Sequence, residues 1–301
     1  MENIQRKAVR KTIYAFLMFL VLRLLEELVI IPHLRISTKG LVSCVAGIVI
    51  LLVYIRFDNK ALDEIGLLFS ARKVGKGLLF AFCLNLFVGA VVFALAYLHL
   101  HLSDGTARLN LYYEKPAYSY SSGLRTFLLW MLFALVVAVF HAIFYELSFR
   151  GLLLSIGSRS LTFGTVNALQ SALYAVWFFI PILRVLIYQT SAMDVKSYLK
   201  LAAFTIVYEF ITAARLGLLR KATGSLWVCI FDHIAFSFIL DTVHLQYTSL
   251  TMQVNDDPDY YVMLLGYQVL SLVICYIYSV QKGKAVRQKM QDAALKNEAG
   301  F

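Results

Sequence analysis

The sequence predicts an all-α, polytopic membrane protein with about eight transmembrane helices. Three observations carry that prediction. The 301 residues are 60% hydrophobic and 15% charged, with a mean hydropathy of +0.72, whereas a soluble domain has roughly 45–50% apolar and about 25% charged residues. The apolar residues come in blocks close to the ~20 residues that cross ~30 Å of hydrocarbon as a helix. The basic residues sit between those blocks, where membrane topology places them, so the formal charge of +10 does not imply a nucleic-acid partner.

The blocks run approximately 12–31, 40–55, 77–98, 125–148, 164–183, 199–216, 224–243 and 260–281. The first follows Arg6, Lys7, Arg10 and Lys11 and contains Arg23, Glu26 and Glu27. No small-residue cleavage site follows it, so it reads as a retained span rather than a signal peptide. Arg23 and Glu27, four apart, read as a local ion pair. The second and sixth blocks are short or polar-flanked. The loop 56–76 holds Leu62, Ile65, Leu67, Leu68 and Phe69 among charges and reads as an interfacial segment. The loop 102–124 is turn-rich, and Tyr112, Tyr113, Tyr118 and Tyr120 suit a membrane–water boundary. Pro181 removes a backbone hydrogen bond from the fifth span. Glu209 is a second buried acid in the sixth, read as a helix-locking or snorkelling group in preference to one that lines the same cavity.

Charge orients the spans. Placing 1–11, 56–76, 149–163, 215–223 and the C-terminal tail on one side collects 19 of the 28 Lys and Arg there. That bias puts both termini in the cytosol. The loop 244–259 agrees, with Asp256, Asp257 and Asp259 and no Lys or Arg. There is no internal repeat. Residues 1–281 read as one membrane domain and 282–301 as a basic, solvated cytosolic tail. Cys44, Cys83, Cys229 and Cys275 lie in apolar runs without a CxxC and read as small core residues.

Chemistry concentrates in two places. His141 to Gly151 continues the apolar fourth span and carries Glu146 and Arg150 four apart, able to pair on one helix face. An intramembrane acid and arginine are either a structural ion pair or part of a site. In the seventh span, His233 and Ser237 are also four apart, and His244 extends their stripe. Glu146 lies roughly 15 Å from its helix end and His233 roughly 14 Å from the same side, at 1.5 Å per residue. Matching depth makes the two a candidate pair. His141 and Tyr145 share a neighbouring face.

Tyr145–Glu146–Leu147–Ser148–Phe149–Arg150 resembles the Glu-Glu-x-x-x-Arg motif of the CAAX protease and bacteriocin-processing (CPBP, or Abi) intramembrane proteases. The run Leu216–Trp227 followed by His233 resembles the approach to that family's His-x-x-x-Asn motif. Glu64–Ile65–Gly66–Leu67 resembles its common segment before the third span. The resemblance implies an eight-span core, sharpest over 141–240, and makes Glu146, Arg150, His233 and Ser237 the candidate catalytic residues. Tyr145, Phe178, Trp177 and His141 are the candidate substrate-binding residues. Three positions depart from the pattern. Tyr145 stands where the water-activating acid belongs, and a phenol with a pKa near 10 is a poor base at neutral pH. Phe178 stands where the second motif has histidine, and Ser237 replaces the asparagine.

The implied function is therefore that of a catalytically impaired homologue that binds a peptide or lipid-modified segment, in bacteriocin immunity, peptide processing or regulation. An active endopeptidase with a variant site, aided by His141, is one alternative. A transporter with a Glu146, Glu209 and His233 relay is another, disfavoured by the lack of repeats. The expected partners are membrane lipids, a peptide or a prenylated or otherwise hydrophobic protein segment, and a membrane protein. No cofactor is expected. Glu146 and His233 alone are too few ligands for a stable zinc site, though a divalent metal stays open. The expected location is a bacterial plasma membrane, as a multi-pass protein.

Overall fold

Every apolar block folds as a helix, and the helices pack with their polar residues inward. The computed structural model describes residues 2–34, 40–57, 64–68, 70–102, 106–111, 124–188, 194–248 and 258–299. In chain order they form α1 (Glu2–Leu25, extended by a π-helical turn Glu26–Ile30 and a last turn Ile31–Leu34), α2 (Leu41–Phe57) and α3 (Ala71–Leu102). Strand β1 (Thr106–Leu111) follows, then α4 (Leu124–Ser158), α5 (Phe163–Tyr188) and α6 (Val195–Thr223). The chain continues with α7 (Leu226–Thr242), β2 (Val243–Thr248) and α8 (Pro258–Ala299). Five of these helices contain stretches long and apolar enough to cross a membrane: Val74–His99, Leu124–Ser158, Phe163–Tyr188, Val195–Thr223 and Tyr261–Val286. Leu41–Arg56 and Leu226–Leu240 are shorter apolar helices.

The burial pattern is that of a membrane protein. Leu78, Leu79, Phe82, Leu86 and Phe87 of α3 and Leu128, Leu129, Leu132 and Phe133 of α4 are exposed, while Glu146, Arg150, Gln170, Arg215 and Asp232 are fully buried. Lipid favours an apolar sheath and leaves polar groups to satisfy one another inside. Of the cysteines, Cys44, Cys229 and Cys275 are buried, but Cys83 is exposed on this apolar surface rather than in the core.

Helix α5 packs along α6, α6 along α8, and α7 against both α3 and α4. The α5–α6 contact is close because Gly217 has no side chain. A Cβ there would lie 1.8 Å from Asn167 Oδ1. Asn167 and Gln170 instead donate to the backbone oxygens of Ala214 and Ala213, both at 3.1 Å. On the other side of the bundle, Arg23 pairs with Glu27 at 3.1 Å as the i, i+4 spacing indicated, and Arg184 of α5 joins Glu27 at 2.8 Å. Glu26 caps α2 from a distance, accepting from the N–H groups of Val42 (3.1 Å) and Ser43 (2.8 Å). These are orphan donors of a helix start.

Several boundaries differ from the sequence reading. The fourth span does not end near residue 148. It continues through a π-helical stretch, Glu146–Leu153, to Ser158, because burial of Arg150 lets the helix carry a charge inside the bundle. Arg150 is thus part of the span, not of a loop. The seventh span ends at Thr242, and His244 lies on β2, off the helical stripe. β2 pairs antiparallel with β1, from Thr106 opposite Thr248 to Leu111 opposite Val243. Both strands fall in segments that the sequence reads as loop. Pro181 lies within α5, which runs on to Tyr188. In the 56–76 segment, Ile65 is buried in the core rather than resting on an interface. Residues 58–63, Phe69 and the tyrosines at 112, 113, 118 and 120 lie outside the described residues.

Candidate active site

The site forms where α4, α5, α6 and α7 converge. The π-helical stretch starting at Glu146 widens one turn of α4, a distortion common at functional sites. It holds Glu146 and Arg150 wholly inside the bundle, with Arg150 Nη1 3.2 Å from Glu146 Oε1. The guanidinium carbon of Arg150 sits 4.4 Å from the Tyr174 ring centre, a cation–π contact with α5. From α7, His233 Nδ1 lies 2.7 Å from the same Glu146 Oε1. The depth match inferred from helix rise is thus a direct contact. With Glu146 ionised, the Nδ1–H of His233 donates to it and Nε2 becomes an acceptor. The carboxylate fixes the imidazole tautomer, as in other carboxylate–histidine pairs.

His233 also lines a cavity of about 290 Å³, together with His141, Tyr145, Phe178, Glu209 and Ser237. Four of the rings involved form one aromatic wall. Tyr145 stacks on His141 (5.4 Å between centres) and on His233 (5.7 Å), and meets Phe178 edge-on at 5.2 Å. Glu146 and Arg150 stand behind this wall rather than on it. Trp177, fully buried, packs against Phe144 at 5.2 Å and beneath Arg23. It supports Tyr145 from the core and does not line the cavity. The structure therefore brings His141, Tyr145, Phe178, His233 and Ser237 to one space, with Glu146 and Arg150 one layer behind and Trp177 farther back.

A second buried network abuts the first through sequence neighbours on α7. Asp232 pairs with Arg215 of α6 at 2.7 Å and accepts from Asn85 of α3 at 2.9 Å. Tyr267 of α8 donates to the Asn85 side chain. Four helices are thus tied at the position next to His233. The only sequence signal was an asparagine and an aspartate inside otherwise apolar runs. The segment before α3 is pinned to the start of α7: Leu226 N–H donates to Gly66 O at 3.0 Å and Trp227 Nε1 to Leu67 O at 3.1 Å. Gly66 has φ +75°, and a Cβ there would meet the Arg220 guanidinium at 2.4 Å. Any side chain at this position is both strained and obstructed.

Among the described residues, no group of three or more His, Cys, Asp and Glu is arranged to hold a metal ion.

Helical bundle, exposed apolar sheath and buried Glu–Arg–His site together define a multi-pass membrane protein with an intramembrane polar centre. Residues 127–239 match the protein-family model described as Rce1-like, type II CAAX prenyl endopeptidase Rce1-like. That segment is α4 to α7, the four helices around the cavity, and the match bears out the resemblance read from the motifs. Over this segment the chain is similar to these intramembrane proteases. A comparison with curated proteins returns no match.

Proposed function

We propose that this protein holds a hydrophobic peptide or lipid-modified protein segment in the α4–α7 cavity and hydrolyses it slowly or not at all. The observation that supports this most directly is the pairing of Tyr145 with Phe178. At the two positions where the resemblance expects an acid and a histidine, two rings pack 5.2 Å apart on the cavity wall. They offer apolar surface to a ligand and no base to a water. Glu146, the acid that remains, has one oxygen engaged by both His233 and Arg150. Its role in this reading is to orient His233. Losing one acid–base group costs about 10²–10⁴ in rate, so losing two leaves a site better suited to binding.

A second reading has one observation in its favour. Glu209 lines the same cavity as His233 and Ser237. In an active enzyme, Glu209 would take a proton from water as the water oxygen attacks the scissile carbonyl. Ser237 would donate to the oxyanion, and the proton would pass to the leaving amine.

The test is a fluorescent prenylated reporter peptide presented to the full chain in detergent micelles, read for binding and cleavage. The first reading expects saturable binding, weakened by widening the wall with Phe178→Ala, and no cleavage above background. Cleavage by the parent that disappears in Glu209→Gln establishes the second. Immunity or regulatory work in a bacterial plasma membrane is consistent with a binding role and forms part of the same proposal.

A further inference from the structure

A second cavity, of about 420 Å³, opens at the end of the bundle where α4 stops and α7 begins. Its wall includes Arg150, Arg159, Arg220 and Lys221, against one acid, Glu64. The charge rule places this end at the cytosolic membrane surface. Arg159 pairs with Glu64, Lys221 Nζ rests 4.4 Å from the Phe163 ring centre, and Arg220 donates to the Glu64 backbone oxygen at 3.2 Å. The Nε of Arg220 is buried with no hydrogen-bond partner.

Arg150 is the strongest element. It is 0% exposed, lines the cavity, and none of its three guanidinium nitrogens makes a well-directed hydrogen bond. Its charge is met at 3.2 Å by a carboxylate that His233 also uses and at 4.4 Å by the Tyr174 ring. A guanidinium presents five N–H donors in a planar fork that matches the oxygens of a phosphate. Buried donors without acceptors are costly, and their presence along a net-positive cavity indicates an anionic ligand. A basic pocket between helices at the cytosolic side is also where lipid headgroups bind.

We propose that this basic cavity is a binding site for a phosphate group, supplied by the headgroup of an anionic phospholipid or by free phosphate. The site is separate from the peptide cavity and does not depend on the function proposed for it. The two meet at Arg150, which touches the Tyr174 ring of the peptide cavity and pairs with Glu146 behind His233.

The test measures thermal unfolding of the full chain in neutral detergent micelles titrated with phosphatidylglycerol, phosphatidylcholine or inorganic phosphate. The unfolding midpoint rises saturably with phosphatidylglycerol and not with phosphatidylcholine. Arg159→Gln/Lys221→Gln shifts the half-saturating concentration upward, by about fivefold per cation removed. Lys221→Gln alone, at an exposed residue, gives the smaller shift should the double variant fold poorly. Lys284→Gln, an equal charge loss on α8, leaves the curve unchanged. A rise with inorganic phosphate equal to that with phosphatidylglycerol assigns the site to the free anion. No rise with either, or an unchanged dose response in both cavity variants, overturns the proposal.

Discussion

Replacing Glu146 by alanine removes the carboxylate that holds both Arg150 and His233. Arg150 stays 0% exposed and is left with the Tyr174 ring at 4.4 Å. A cation–π contact of ~0.5–2 kcal/mol does not replace a lost counter-ion. Deleting one partner of a buried ion pair costs about 3–5 kcal/mol. The lost hydrogen bond from His233 belongs to the same cluster and does not simply add. Against a total stability of roughly 5–15 kcal/mol, the expected outcome is a fall in the thermal midpoint on the order of 10 °C, read by unfolding in detergent micelles. Glu146→Gln keeps an acceptor but no charge and falls between. Glu146→Ala/Arg150→Met removes both charges and recovers most of the loss. A Glu146→Ala protein that unfolds at the parental temperature would show that Arg150 does not depend on this carboxylate. A double variant less stable than Glu146→Ala would refute the ion-pair reasoning.

Other expectations follow from particular contacts. Gly217→Ala places a Cβ 1.8 Å from Asn167 Oδ1 and separates α5 from α6, an overpacking cost of ~1–3 kcal/mol visible in the same unfolding assay. Asp232→Ala strands the buried Arg215 and lowers stability by about 3–5 kcal/mol, whereas Asp232→Asn retains the acceptor for Asn85 and loses less. Glu26→Ala uncaps α2 and costs ~0.5–2 kcal/mol, seen as faster amide exchange at Val42 and Ser43. At the start of α6, hydrogen bonds from the backbone and side chain of Ser197 hold the Asp194 carboxyl below its ordinary value. Its capping contribution is therefore complete above the ordinary carboxylate range and disappears as pH falls through the lowered value. Asp194→Asn removes that pH dependence from the helicity of the α6 start.

The eight helices were legible because each apolar block is long enough to be read without knowing its neighbours. The Glu146–His233 contact was legible as well, since helix rise alone places both residues at one depth on spans that share an end. Helix rise says nothing about rotation. That is why Trp177, one residue before Phe178, was grouped with the cavity although it faces the aromatic core. The sequence does not mark the end of α4 at Ser158, because a charge inside an apolar run looks like the end of a span until its partner is known. Arg215, Asp232, Asn85 and Tyr267 come from four helices, and no spacing in a single chain segment links them. The β1–β2 pairing joins residues more than 130 positions apart, a register that neither loop encodes alone.

The central claim is that a binding scaffold has been kept while the base chemistry at Tyr145 and Phe178 has been lost. Its most direct test is the variant Tyr145→Glu/Phe178→His, assayed beside the parent on the prenylated reporter peptide. The account predicts a parent that binds without cleaving and a double variant that cleaves at least tenfold above background. Efficient cleavage by the parent, with no gain in the double variant, would contradict it.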